Sequence, residues 1–452
     1  MLPKTFLHSS SEFKDFSKQI IEILPDGNGN DFKPGSVVRF SLPPGSTLNL
    51  NNMALHLTAK IPHVAQHLGT TGTGTGSVAP AAKTDTYNIY PPKYIASLIN
   101  QITIYCNGQI VQQISEYNQI VNILTDMSKT NNKSKILSYG NGFHRNDYRS
   151  GSTTHQEDYI ITDWFGILGS AETKEVSGSI IDTNMLGNCV LEFQFAKNNV
   201  LARSLPTGQD AAVTPFFDAD QLAESLNEVG FSLENLKLSV ERMTLSKPQY
   251  DSMDSILKSG GYEIMFNHYT IFKGNGGNTA GNMRVSVNSQ SIKYVLGYFE
   301  NGTKNNSNHP MELDEATKTS GYFTRKGADF VNAQFIVGST PMPVNPMKIT
   351  DTYLNTLRLR GDKSSTDKEY FENLDTMEKW QSSFLTVPLS LEYSEDWKAE
   401  LKSDSGLSTE NMPLNITFNY QLNTTNSDTP CMLVVSNRVL KIKDGVSLSV
   451  DI

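Results

Sequence analysis

Residues 231–272 constrain this chain more than any other stretch, because the apolar period changes twice inside them. Phe231 and Leu233, then Leu236, Leu238 and Val240, then Met243 and Leu245 recur every second residue, with slips that predict bulges in a strand. Ser246 with Gln249 three places on then fits a capping box, and Pro248 is tolerated in a first helical turn. Tyr250, Met253, Ile256 and Leu257 share one helical face, and Gly260-Gly261 supplies a left-handed stop. Tyr262, Ile264, Phe266, Thr270 and Phe272 alternate again, so a new strand begins. Strand, short helix, double glycine, strand is how a chain leaves one β-domain and enters the next. The stretch predicts a joint between two copies of one module, and 452 residues leave room for both.

Upstream of the joint, residues 11–24 place Phe13, Phe16, Ile20, Ile23 and Leu24 on one helical face, with Ser9 and Glu12 as a capping box. Pro25 and the Gly/Asn-rich run to Asp31 detach this segment, which predicts an amphipathic N-terminal arm over residues 1–34. The first module, residues 35–258 with the joint helix, opens with strands at 37–40 and 48–61 separated by Pro43-Pro44-Gly45. Ile102, Ile104 and Cys106 alternate up to Asn107-Gly108, a dipeptide that accepts positive φ at both centres of a type I′ turn. A short helix follows with Tyr117, Ile120, Leu124 and Met127 on one side, and strand signals return at 159–164, 176–181 and 189–195.

The second module, residues 259–452, repeats this grammar. Val285 and Val287, then Ile292, Tyr294 and Leu296, mark two strands, and Val331, Ala333, Phe335 and Val337 mark another that ends in a Pro-rich turn at 340–346. Short helices are predicted at 351–359 and 370–380, the latter capped by Thr366 and Glu369. Leu385 to Tyr393 and Leu414 to Leu422 alternate without a break, and strands at 432–435, 439–442 and 446–452 close the chain. Seven or eight short strands per module, with helices only in connections, predict an all-β chain of two tandem jelly-roll or β-sandwich domains. Several of the polar loops at 65–93, 129–157, 203–228 and 300–326 are expected to project from one end of the barrels as exterior towers. The low-complexity run at 69–77 has no Lys-Ser/Thr after its glycines, so it is no phosphate loop.

Catalytic chemistry finds no pattern here. No Gly-x-Ser-x-Gly elbow, paired-histidine helix, dinucleotide glycine motif or Walker sequence occurs, and no catalytic, cofactor-binding or metal-binding residue is expected. His56, His63 and His67 lie close together but lack a Cys or carboxylate at ligand spacing. His268 interrupts an apolar alternation and is expected to be a hydrogen-bonded core or interface residue. Arg360-Gly361-Asp362 matches an integrin-binding tripeptide, but a three-residue match arises readily by chance. Asn132, Asn301, Asn305, Asn415 and Asn423 begin glycosylation triplets, which read as compositional because residues 1–10 lack the apolar core of a secretory signal. Cys106, Cys189 and Cys431 are odd in number and far apart, and read as small core residues made in a reducing compartment.

A formal net charge of −9 argues against broad nucleic-acid binding. Within residues 1–31, Lys4, Lys14 and Lys18 face Glu12, Asp15, Glu22, Asp26 and Asp31, so the expected arm is acidic and unsuited to condensing a genome. No window approaches 18 continuous apolar residues.

In order and character the strand pair at 37–40 and 48–57, the hairpin at 102–112 leading to Tyr117-Asn118, the joint at 236–261 and the closing pair at 439–442 and 446–452 resemble major capsid proteins of double jelly-roll viruses, in particular virophages and polinton-like viruses. The resemblance covers residues 36–452. It implies two jelly rolls standing perpendicular to a capsid surface, and three copies forming a pseudo-hexagonal capsomer in an icosahedral DNA virus shell. The partners implied are further copies, penton and minor capsid proteins, with an internal membrane contact through the arm and no sequence-specific nucleic-acid binding. The location implied is the virion, assembled inside the host cell. The alternative is a two-domain β-sandwich carbohydrate-binding or adhesive protein, a class that is often secreted and disulfide-bonded.

Overall fold

The computed structural model describes residues 16–27, 29–62, 64–68, 84–128, 154–169, 180–204, 230–248, 250–251, 255, 262–289, 291–302, 310–314, 319–327, 329–359, 380–381, 383–391, 407–408, 414–424, 428–443 and 447–451. The first half supplies β1 (Phe16–Ile23), β2 (Val37–Ser41), β3 (Thr47–Pro62), β4 (Val64–Leu68), β5 (Thr84–Tyr90), β6 (Ile99–Cys106), β7 (Gln109–Ile114), α1 (Tyr117–Ser128), β8 (Thr154–Ile161), β9 (Ile180–Asp182), α2 (Thr183–Leu186), β10 (Cys189–Phe195), β11 (Ala202–Ser204) and β12 (Ser232–Leu245). The second half supplies β13 (Tyr262–Lys273), β14 (Ala280–Val287), β15 (Ser291–Glu300), β16 (Met311–Asp314), β17 (Thr319–Ser320), β18 (Phe330–Val337), β19 (Thr340–Met347), α3 (Ile349–Leu359), β20 (Val387–Ser390), β21 (Leu414–Leu422), β22 (Thr429–Lys443) and β23 (Ser447–Asp451).

Both halves are wound on one plan. The first pairs β1-β12-β3-β8 in one sheet and β2-β10-β6-β7 in the other; the second pairs β13-β22-β15-β20 and β14-β21-β18-β19. Setting aside β4, β5, β9 and β11 in the first half and β16, β17 and β23 in the second, each half therefore places its first, last, third and sixth strands in one sheet and the remainder in the facing one. That is jelly-roll topology, made twice. Alternation sets the inward faces: β10 reads Cys189, Leu191, Phe193 and Phe195 buried with partly exposed residues between them. The type I′ hairpin is present, with Asn107 at φ 50° and Gly108 at φ 79° between β6 and β7. The slips in β12 are real register shifts, at Glu234/Lys237 and Ser239/Glu241.

Several expectations give way. Residues 16–23 are not a helix but strand β1, hydrogen-bonded along β12 from Phe16↔Leu245 to Ile23↔Leu238. β1 holds in the first roll the place that β13 holds in the second, so this part of the expected 1–34 arm is sheet. The sequence FSKQIIEI satisfies both periods, and the free edge of β12 decides for the strand, turning Ile21 and Ile23 toward the core. The Pro-rich turn after β18 is strand β19, an edge position whose outer side needs no N–H donors. The strands expected at 432–435 and 439–442 are one strand, β22. The loops at 65–93, 203–228 and 300–326 contribute β4, β5, β11, β16 and β17 to a fifth sheet, ordered β17-β16-β11-β5-β4, in which β11 and β16 from different halves pair in parallel. Residues 69–83, 205–228, 303–309 and 315–318 of those loops, the loop at 129–153, the helix at 370–379 and most of the joint helix lie outside the described residues; the joint helix's described residues 247, 248, 250, 251 and 255 are helical.

The core is two clusters rather than one per roll. The smaller fills the second roll around Phe299, Phe335 and Phe418. The larger fills the first roll and continues onto Leu296, Tyr298, Cys431, Leu433 and Val435 of the second. The sheet carrying β15 and β22 is thus buried on both faces, which is why residues 431–435 form an unbroken apolar run instead of alternating.

Candidate functional site: the junction between the two rolls

The face that organises this chain is the one where its two rolls meet. On the first roll that face is built by β7, α1 and a short 3-10 turn at Gly166–Leu168. Residues 117–127 of α1 are buried all round. Its apolar side, with Ile120, Ile123 and Leu124, covers its own sheet, while its polar residues must meet partners.

Gln112 of β7 holds three elements at once. It is 1% exposed, its Nε2 donates to the Asn267 carbonyl in β13 at 2.8 Å, and its Oε1 accepts from the Ile167 amide at 2.8 Å. Gly166 makes this approach possible, because at φ +84° a side chain there would place a Cβ 2.5 Å from Gln112 Oε1. Beside it Phe165 stacks edge-on between Tyr117 and Tyr269, at 6.3 and 6.0 Å. Gln119 Nε2 donates to the Tyr322 carbonyl at 3.1 Å.

Two ionic clusters flank this apolar centre. Asp126 of α1 accepts from Lys93 Nζ at 3.0 Å and Tyr94 hydroxyl at 2.8 Å through Oδ1, and pairs with Arg325 Nη2 at 3.2 Å through Oδ2. The Asp126 and Arg325 side chains are only 7% and 2% exposed, and Lys93 and Arg325 both lie over the Phe384 ring. Burial pushes the Asp126 carboxyl up, but the Lys93 ammonium and Arg325 guanidinium outweigh it and hold the pKa below the usual carboxylate range. Burial likewise opposes the charge on Lys93, and Asp126 and Tyr94 outweigh it, raising that pKa. In the second cluster Lys273 Nζ reaches Glu116 at 2.7 Å and the buried Glu300 at 3.2 Å. Each cluster joins residues of different rolls, so the junction is locked by charge placement as well as apolar area.

The residues singled out in the sequence are not brought together. His56 lies on the outward face of the first roll, its Nε2 2.9 Å from Ser239 Oγ; His67 belongs to β4 in a different sheet, and His63 lies outside the described residues. Among the described residues no group of three or more His, Cys, Asp or Glu side chains is arranged to hold a metal ion. His268 is buried in β13, but its Nδ1 meets no hydrogen-bond partner among the described residues. Burial, with Arg438 nearby, pushes its pKa down to about 3, so the ring is neutral. All three cysteines are buried, and Cys106 and Cys189 face each other across β6 and β10 with sulfurs 3.2 Å apart. Residues 360–362, Asn132 and Asn305 lie outside the described residues, while Asn415 sits within β21. Gln112, Asp126, Lys273 and Arg325 carried no sequence signal of their role, since their partners are 27 to 199 residues away, from Lys273 with Glu300 to Asp126 with Arg325.

No protein-family model and no curated protein matches the chain. Solved structures do. A chain of the PBCV-1 virus capsid aligns with a TM-score of 0.57 at 11% identity, covering 96% of this chain and 97% of that one. The Faustovirus major capsid protein aligns with a TM-score of 0.54 at 9% identity, covering 95% and 90%. A chain of the Sputnik virophage aligns with a TM-score of 0.54 at 9% identity, covering 97% and 89%. Strand order in both halves and likeness over nearly the whole length agree: the chain has the fold of the viral double jelly-roll major capsid proteins.

Proposed function

We propose that the chain is the major capsid protein of an icosahedral DNA virus, and that three copies form a pseudo-hexameric capsomer of the virion shell. The observation that carries this reading is the repeat itself: two rolls of identical strand order, joined through a buried face. Three such subunits offer six similar sides, which is what hexagonal packing of a shell requires. The likeness to capsid proteins supports it, and the carbohydrate-binding or adhesive reading finds no support there. The role is structural rather than catalytic. We place the first roll from β1 to the joint helix and the second from about residue 259 onward. Penton proteins, minor capsid proteins and an internal membrane are partners in this reading, the last through residues 1–15. Among the described residues no helix is long and apolar enough to cross a membrane.

Mass photometry of the purified chain should give a trimer, and electron microscopy should show hexagonal capsomers or shells. A monomer at micromolar concentration refutes the reading.

A further inference from the structure

The first roll holds a reactive pair that the junction does not use. Cys106 ends β6 and Cys189 opens β10, and the two are direct partners in the antiparallel ladder, both buried. Hydrogen bonds on either side fix what kind of pair they are. The Asn107 amide donates to the Asn188 carbonyl at 2.8 Å, while the Cys189 carbonyl accepts from the Leu42 amide, just past β2, at 2.9 Å. Hydrogen-bonded and non-hydrogen-bonded pairs alternate along such a ladder, so Cys106 and Cys189 are a non-hydrogen-bonded pair, the kind whose side chains lie closer. The Cys189 thiol donates to Cys106 Sγ at 3.2 Å. Cys431 is placed differently: its register partners are Lys273 and Tyr298, and its thiol donates to the Thr429 carbonyl at 3.5 Å.

We infer that Cys106 and Cys189 are a redox pair, which closes to an intrachain disulfide on meeting a low-molecular-weight disulfide such as oxidised glutathione and reopens under thiol reductants. One protein thiolate attacks the oxidant, forming a mixed disulfide and releasing one glutathione. The other then attacks the protein sulfur of that mixed disulfide and releases the second glutathione. Each proton lost by a protein thiol ends on a departing glutathione sulfur, so the protein is oxidised by two electrons and the oxidant is reduced to two thiols. The sulfurs have only about 1.2 Å to travel to bonding distance. The bond ties β6 to β10 and closes residues 106–189, α1 included, into one loop.

The closed sheet withholds the pair. Contact with Cys189, together with burial, pushes the Cys106 thiol above its ordinary pKa, so it stays protonated where it lies. Access comes through the adjoining strand ends, where Asn107, Gly108, Gln109 and Ile110 of the hairpin and Asn188 opposite are exposed. Fraying there bares both sulfurs without opening the rest of the roll. In a reducing compartment the pair remains two thiols, and the bond forms once the chain leaves it.

The full chain, reduced and then held in oxidised glutathione, should become two hydrogens lighter by mass spectrometry. After denaturation one thiol per chain should take up iodoacetamide, against three in the reduced chain, and peptide mapping should join residues 106 and 189. The first roll should melt about 5–15 °C higher, and dithiothreitol should reverse the gain. Cys106→Ala and Cys189→Ala should each abolish bond and gain, and Cys431→Ala neither. A parallel sample in sub-denaturing urea opens the hairpin end where the native chain reacts too slowly, and the bond in either sample supports the inference. Three free thiols in both samples, a glutathione adduct that never closes, or a bond to Cys431 overturns it.

Discussion

Replacing Asp126 with Asn should destabilise the chain far more than a surface ion pair would allow. Asp126 is the only acid paired with Lys93 and Arg325 among the described contacts, at 3.0 and 3.2 Å. At an effective dielectric constant of about 20, each attraction is gross roughly 5 kcal/mol, most of it offset by the cost of desolvating the charges. The substitution leaves both cations buried without their counter-ion, and removing one partner from such a site costs about 3–5 kcal/mol. For a domain of roughly 200 residues that lowers Tm by about 6–20 °C. Arg325→Met should cost less, because Asp126 keeps Lys93 and the Tyr94 hydroxyl. The pH dependence has a definite sign. A carboxyl with a depressed folded-state pKa contributes stability above its unfolded value of about 4, and that contribution is lost as pH falls through the lower folded value. Wild type should therefore lose stability below about pH 4, and Asp126→Asn should lose less over the same range. Urea and thermal unfolding between pH 3 and 7 decide the matter. A change under about 1 kcal/mol at pH 7, the range of an exposed pair, would refute the account of the junction.

Two further outcomes follow from the fold. Deleting residues 1–24 removes β1 and with it the edge of the first roll, including the Lys18–Glu241 and Glu22–Lys237 pairs, so the product should lose its cooperative melt and fail to form trimers; size-exclusion chromatography and circular dichroism would show it, and a folded trimer with wild-type melting would mean β1 is dispensable. Gly166→Ala should cost about 2–4 kcal/mol in urea unfolding, combining a left-handed backbone with the displacement of Gln112 from its two hydrogen bonds, and an unchanged midpoint would contradict that packing.

Much of this fold is local, and local features are legible in a sequence. Alternation in 189–195 and 414–422 gave strands because a half-buried sheet turns successive side chains to opposite environments. Asn107-Gly108 gave a hairpin because few other dipeptides tolerate positive φ twice. The double change of period at the joint marked two modules, since β12 and β13 are the last strand of one roll and the first of the next.

What the sequence left open was everything that depends on a distant partner. Residues 16–23 carry apolar residues at spacings that suit a helix or a strand, and only the unpaired edge of β12, more than 200 residues later, selects the strand. The polar look of residues 300–326 hid Phe323 and Arg325, both buried, because a guanidinium enters a core only where a carboxylate such as Asp126 awaits it. The apolar run at 431–435 announced a buried strand but not what would cover its second face. Composition and period decide how each segment can bury itself. Which surfaces stay exposed is decided only when the rolls meet, because burial belongs to pairs of surfaces and not to residues.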